Sequence, residues 1–172
     1  MIRRRIILMR HAKSAWNQPD LSDHARPLKK RGRKDASTVA ARLVALGWVP
    51  DETISSDAAR AQETVQRMQP FFDPEPPVTF QRTLYHCGMT DVETTLRLLS
   101  ARVETVLLVG HNPAWEEVLF WLTGLERQLK TAHAALLDLE LKKSSVADTR
   151  AIWSGLVPPA HRWHLRDVVT PR

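Results

Sequence analysis

Three observations predict an α/β fold, a three-layer α/β/α sandwich around a mixed, mostly parallel central sheet. Up to about residue 125, short apolar runs alternate with stretches of helical spacing; beyond that, strand-like runs follow one another. Thr105–Val109 carries the unbroken apolar run Val-Leu-Leu-Val, as in a strand covered on both faces. Two of the runs end abruptly in a polar turn that bears a histidine, Arg10-His11 and Gly110-His111. Ligands of open α/β sheets bind beyond the carboxyl ends of the strands, so these turns are where chemistry belongs.

Ile6–Met9 is too short for a helix and reads as the first strand. Residues 15–27, with Asn17, Pro19, Asp20, Ser22, Asp23 and Pro27, have the composition of a loop. Helical spacing begins at Gly32. Ala36, Val39, Ala40, Leu43 and Leu46 share one face, and Gly47 supplies a stop. A very short strand, Thr53–Ser55, leads to a helix capped by Asp57 and ended by Pro70, with Ala61, Thr64, Val65 and Met68 facing inward. The prolines of residues 70–77 impose an irregular connection to a weak strand, Val78–Phe80. A helix from Asp91 to Ala101 carries Val92, Leu96 and Leu99 on one side. Strand Thr105–Val109 feeds Asn112, a good N-cap, and Pro113, suited to the first position of a helix reaching Gly124. Glu116 and Glu117 complement its positive end. Ala134–Leu141, Thr149–Trp153 and His161–Arg166 read as the closing strands. With no repeat or linker, residues 1–172 are expected to form one domain, long enough to bury a core.

An apolar fraction of 43% and a charged fraction of 26% are ordinary for a soluble chain. No apolar run nears the roughly 20 residues of a membrane span, so no membrane partner is expected. Arg3–Arg5 precede an apolar run too short for a signal peptide, and a single cysteine, Cys87, excludes an internal disulfide; a cytoplasmic setting is expected. The net charge of +6 is densest in Arg26–Lys34, where six of nine positions are cationic. With no helix-turn-helix, zinc finger or aromatic-interleaved basic strand, this charge points away from nucleic acid. It fits an anionic substrate, an acidic protein partner or a solvated face.

The chemistry gathers at three junctions. Arg10-His11 and His111 follow strands, and Ser55-Ser56-Asp57-Ala-Ala-Arg60 places Arg60 in the first turn of a helix. Together they supply two imidazoles and two guanidiniums, with helix-start N–H groups beside them. Arginine can hold two phosphate oxygens in a planar fork, and a neutral histidine can serve as nucleophile, base or acid. No carboxylate pair, metal-ligand box, Walker loop or Gly-x-Gly-x-x-Gly accompanies them, which points to phosphoryl chemistry without a metal or nucleotide cofactor. His161 and His164, three apart on an expected strand, would face opposite ways and share no metal. His86 beside Cys87 reads as rim or packing, and Trp16, Trp115 and Trp121 as core or pocket wall.

Arg10-His11-Ala-Lys-Ser, Ser-Ser-Asp-Ala-Ala-Arg60-Ala-Gln-Glu-Thr and Val109-Gly-His111-Asn112-Pro113 resemble the histidine phosphatase superfamily, which includes the phosphoglycerate mutases. With Asp23-x-x-Arg26-Pro-Leu and the short length, the chain is most similar to the SixA branch of phosphohistidine phosphatases. The resemblance implies a phosphoglycerate mutase-like fold. It makes His11 the nucleophile that receives the phosphoryl group, with Arg10, Arg60 and His111 binding its oxygens. Lys13, Ser14 and Asn17 are placed to line the same site, and Asn112 either joins them or only caps its helix. Many superfamily members carry a glutamate proton donor where Gln81–Gly88 stands here, and this stretch has none. An alkoxide leaves poorly without an acid, whereas imidazole leaves well, so the departure favours a phosphohistidine-bearing protein as substrate. A phosphatase of a small phosphorylated metabolite, and a non-catalytic phosphate-binding module of the same fold, are the alternatives.

Overall fold

The computed structural model describes residues 1–142, Trp153 and residues 163–172. In chain order these form β1 (Ile2–Arg10), α1 (Lys30–Ala45), β2 (Glu52–Ser56), α2 (Ala59–Met68), β3 (Val78–Gln81) and α3 (Met89–Arg97). There follow β4 (Thr105–Gly110), α4 (Ala114–Thr123), β5 (Ala134–Leu141) and β6 (His164–Val169). The strands make one sheet in the order β3-β2-β4-β1-β5-β6. The first four are mutually parallel, β5 runs against β1, and β6 runs against β5. The sheet is therefore mixed and mostly parallel, as expected.

Alternation along β1 divides the core into two layers. Ile6 and Leu8 face Leu96, Trp115 and Leu119 on the side of α3 and α4. Ile7 and Met9 face Val39, Leu43, Val65 and Met68 on the side of α1 and α2. Both β1 and β4 are covered on both faces, so each strand end is held rigidly. β1 is longer than its apolar run because its arginines find partners at the strand's start. Arg3 bonds Asp138, Arg4 donates to the carbonyl of Ala101 at 2.7 Å, and Arg5 donates to that of Gly47 and stacks on Trp48.

Several boundaries differ from expectation. α2 is capped by Ala58 rather than Asp57, whose carboxylate bonds His24 Nε2 at 2.7 Å instead. Leu46 follows the last residue of α1 and is exposed. α3 ends at Arg97, and Leu99 is buried from the turn beyond it. Pro113, not Asn112, is the N-cap of α4, because the Asn112 amide is engaged elsewhere. β6 runs from His164, past the expected end at Arg166, in a register that brings Arg166 onto Asp138. Residues 149–152 and 161–162 of the last two expected strands lie outside the described residues. No helix among the described residues is long and apolar enough to cross a membrane.

Two glycines permit close approaches at the site. A Cβ on Gly32 would collide with the backbone of Lys13, so α1 packs directly on the turn after His11. A Cβ on Gly110 would lie 2.5 Å from the ring of Trp115, which closes β4 from below.

Candidate active site

β1 and β4 are neighbours with Arg10 opposite Gly110, and the His11 N–H donates to the Gly110 carbonyl at 3.0 Å. The chain thus leaves both strands side by side, and the rings of His11 and His111 stand with centroids 5.0 Å apart. β2 lies on the other side of β4 and ends at Ser56, and the first turn of α2 then delivers Arg60. His11, Arg60 and His111 are all buried.

Hydrogen bonds set the state of each ring. His11 Nδ1 lies 2.8 Å from the Ala12 carbonyl and donates to it, which leaves a lone pair on Nε2. Arg60 Nε–H points at that lone pair at 3.2 Å, and Arg60 Nη2 lies 3.3 Å from His111 Nδ1. His111 Nε2 then donates to Ser56 Oγ at 2.8 Å. Burial pushes the pKa of His11 down to about 3; the Ala12 carbonyl opposes this, while Arg60, Arg10 and Arg26 add to it. Burial also pushes His111 down to about 3, with help from His11 and Arg60. Two neutral imidazoles, one with its Nε2 lone pair available, lie under a single guanidinium. A phosphoryl group at Nε2 would accept the same N–H donors.

The guanidinium is held by a residue that sequence reasoning did not assign to the site. Arg60 Nη1 donates to the Asp23 carbonyl at 2.6 Å and Nη2 to its Oδ2 at 3.0 Å. Tyr85 O–H donates to the same Oδ2 at 2.6 Å, and Arg26 grips Oδ1 with Nε and Nη2. Burial resists ionisation of Asp23, but Tyr85, Arg26 and Arg60 hold its carboxyl well below the usual carboxylate range. Burial and Asp23 push the Tyr85 hydroxyl up. The Asp23-x-x-Arg26 spacing was the available signal, since carboxylate and guanidinium three apart can pair. Nothing local to Tyr85 or Ser56 announced them.

The expected binding residues separate into two groups. Arg10 donates from Nη1 to the Leu129 carbonyl at 3.0 Å, and its charge is close enough to depress His11. Asn112 Nδ2 donates to that same carbonyl and to Glu116 Oε1, which also accepts the Leu129 N–H. Glu116 and Leu129 therefore fasten Arg10 and Asn112 to the start of α4. Ser14 is buried and accepts from Arg26 Nη1 at 3.0 Å. Lys13 and Asn17 are exposed on the solvent side of the loop. Trp16 is no core residue; it is 69% exposed, with Arg26 over its ring at 3.5 Å. Burial and Asp91 push the Cys87 thiol up to about 11, so it offers no thiolate. Among the described residues, no group of three or more His, Cys, Asp or Glu is placed to hold a metal ion.

A buried neutral imidazole with its lone pair presented beneath arginine is the arrangement that phosphoryl transfer to a histidine would require. The chain belongs to the histidine phosphatase superfamily, whose branch 1 model matches residues 6–96. It is 41% identical to an uncharacterized chloroplastic protein of Arabidopsis thaliana, covering 80% of this chain and 67% of that protein. It is 35% identical to an uncharacterized protein of Mycobacterium leprae, covering 67% of this chain and 71% of that one. A structure from Agrobacterium tumefaciens, provisionally named phosphohistidine phosphatase SixA, is 30% identical over 98% of each chain, with a TM-score of 0.75. The protein histidine phosphatase SixA complexed with tungstate shares the fold, at 19% identity and a TM-score of 0.77 over 97% of each chain. Family and site together make the chain a phosphatase.

Proposed function

We propose that this phosphatase hydrolyses phosphohistidine on a protein, without a metal, through a phospho-His11 intermediate. His11 Nε2 attacks phosphorus in line, and the bond from phosphorus to the substrate imidazole breaks on the far side. With its other nitrogen protonated, that imidazole departs as a neutral molecule. Water then attacks the phosphorus on His11, the bond to Nε2 breaks, and the proton of water passes to the released phosphate. Ala12 holds the Nδ1 proton throughout, so His11 leaves neutral in the second step. Arg60, Arg10 and His111 stabilise the charge on the transferring oxygens, where electrostatic preorganisation contributes most.

The observation that carries the choice of substrate is the state of Asp23. It is the carboxylate that folds against the guanidinium, and it is held ionised by three donors, with no proton for an alkoxide. Tyr85, its neighbour, keeps its proton tightly. Leaving groups that need little protonation suit such a site. The names of the SixA-type neighbours support the same reading. We place the reaction in the cytoplasm, a reducing setting that suits the unpaired Cys87.

The test is a substrate panel run in EDTA. A phosphohistidine protein and activated aryl phosphates are expected to be hydrolysed, and 3-phosphoglycerate, sugar phosphates and phosphoserine roughly 10²–10⁴-fold more slowly, the usual worth of general acid catalysis. Comparable kcat/KM for phosphohistidine and an alkyl phosphate, or strict dependence on a divalent metal, would overturn the proposal.

A further inference from the structure

We propose that the groove between the His11 loop and the start of α1 docks an acidic polypeptide segment adjoining the phosphohistidine, with Trp16 as its apolar anchor. The inference rests on the protein-substrate reading above and names the surface that would recognise the protein.

A groove of about 600 Å³ is lined by Asn17, Lys29, Lys30, Arg31 and Arg33, among others. It is continuous with the catalytic loop. The Lys29 N–H donates to the Lys13 carbonyl and the Ala15 N–H to that of Pro27, both at 2.8 Å, so the groove's floor is the chain that leaves His11. Its cations are unequally used. Arg33 bonds Glu63 at 3.1 Å, whereas Arg31 is 62% exposed and pairs with Asp35 at a longer 3.4 Å. Lys29 and Lys30 are exposed and form no ion pair among the described residues.

These charges stand where a helix does not favour them. The first turn of α1 holds Lys30, Arg31 and Arg33 with no acidic residue, although the N-terminal end of a helix is already positive. An incoming carboxylate would relieve that repulsion. Trp16 lies in sequence between Ala15 and Asn17, which both line the groove, and it has one face on the Arg26 guanidinium and most of its ring in solvent. Exposed tryptophan beside arginine is the composition of an interface anchor rather than of an idle surface. Nothing in the groove repeats the aromatic platform that would favour stacked bases, so a polypeptide is the occupant the surface fits.

The experiment uses two histidine peptides phosphorylated with phosphoramidate, one with a four-glutamate arm and one with a four-glutamine arm. Wild type is expected to show about tenfold higher kcat/KM for the glutamate peptide at low ionic strength, a sum of several modest exposed pairs. The preference should vanish near 1 M salt, where the Debye length is about 3 Å. In Lys29→Ser/Lys30→Gln/Arg31→Gln it should vanish at any salt, while an aryl phosphate is hydrolysed as by wild type. Anisotropy of the labelled, unphosphorylated glutamate peptide reads docking without turnover, and Trp16→Ala should weaken it roughly fivefold. Salt- and triple-variant-sensitive binding with neither phosphopeptide hydrolysed would uphold docking and sink the phosphohistidine reading. Binding unaffected by the triple variant, or an oligonucleotide of equal charge that binds more tightly than the peptide, would overturn the docking proposal.

Discussion

Two carboxylates in this molecule each hold two arginines, and only one of the two clusters also touches the paired imidazoles. Asp138 on β5 is fully buried and is gripped by Arg3 of β1 at 2.6 Å and Arg166 of β6 at 2.7 Å. It pins three neighbouring strands together. Burial works against its ionisation, and the two arginines still hold its pKa below the usual value. Asp23 holds Arg26 and Arg60 in much the same way, but it takes only one edge of Arg60. The remaining Nε–H faces His11 Nε2, and Nη2 also reaches His111. An ion cluster can serve a site when its arginine keeps donors for something other than its carboxylate, and when lone pairs are within reach of them. Position decides this: Asp138 lies within a strand, and Asp23 in the loop beyond a strand's carboxyl end.

The contrast can be broken most severely at His11, the proposed nucleophile. His11→Ala should abolish turnover and leave the fold intact, as read by thermal melting. Near-wild-type hydrolysis by the folded variant would remove the mechanism. Next in size, Arg60→Lys should lower kcat about 10²–10³-fold, the worth of a lost oxyanion donor, because an ammonium cannot serve both imidazoles and Asp23 at once.

The two carboxylates themselves come third. Asp23→Asn should lower kcat/KM roughly tenfold by freeing Arg60 from its proper angle, with a small loss of stability. Asp138→Asn should do the opposite. It should leave kcat/KM unchanged and cost about 2 kcal/mol, below the full value for a buried pair because its arginines are half-exposed. Equal losses of activity in the two variants would erase the distinction.

The smallest effect is on titration. Both site imidazoles should be neutral at pH 5 by ¹⁵N NMR, with midpoints near 3 rather than 6.5. Unfolded imidazoles take up protons below about 6.5, and the buried ones do not until about 3. Their contribution to stability is therefore complete above 6.5 and falls away as the pH drops through that window. A midpoint near 6.5 for either ring would mean that the site is wetter than its geometry shows.

What could be read from the residues alone is whatever depends on local pattern. Ile6–Met9 and Thr105–Val109 announced buried strands because apolar runs of that length have few other uses, and the turns after them carried His11 and His111 in plain view. Arg60 was legible for the same reason, as a first-turn residue of a helix with clear spacing. Boundaries that turned on one side chain were not legible. Asp57 and Asn112 are good caps in isolation, but His24 claims the first and Glu116 and Leu129 the second, from distant parts of the chain. β1 reaches back through three arginines because Asp138, Ala101 and Gly47 meet them there, which no local rule anticipates. Folding also brought Asp23, Tyr85 and Ser56 to the imidazoles across 37, 26 and 55 positions of sequence, counting from Arg60 for Asp23, from Tyr85 to His111, and from Ser56 to His111. Sequence names the groups able to react, because reactivity belongs to a side chain. Their orientation and charge state come from partners far along the chain, and only the tertiary structure decides those.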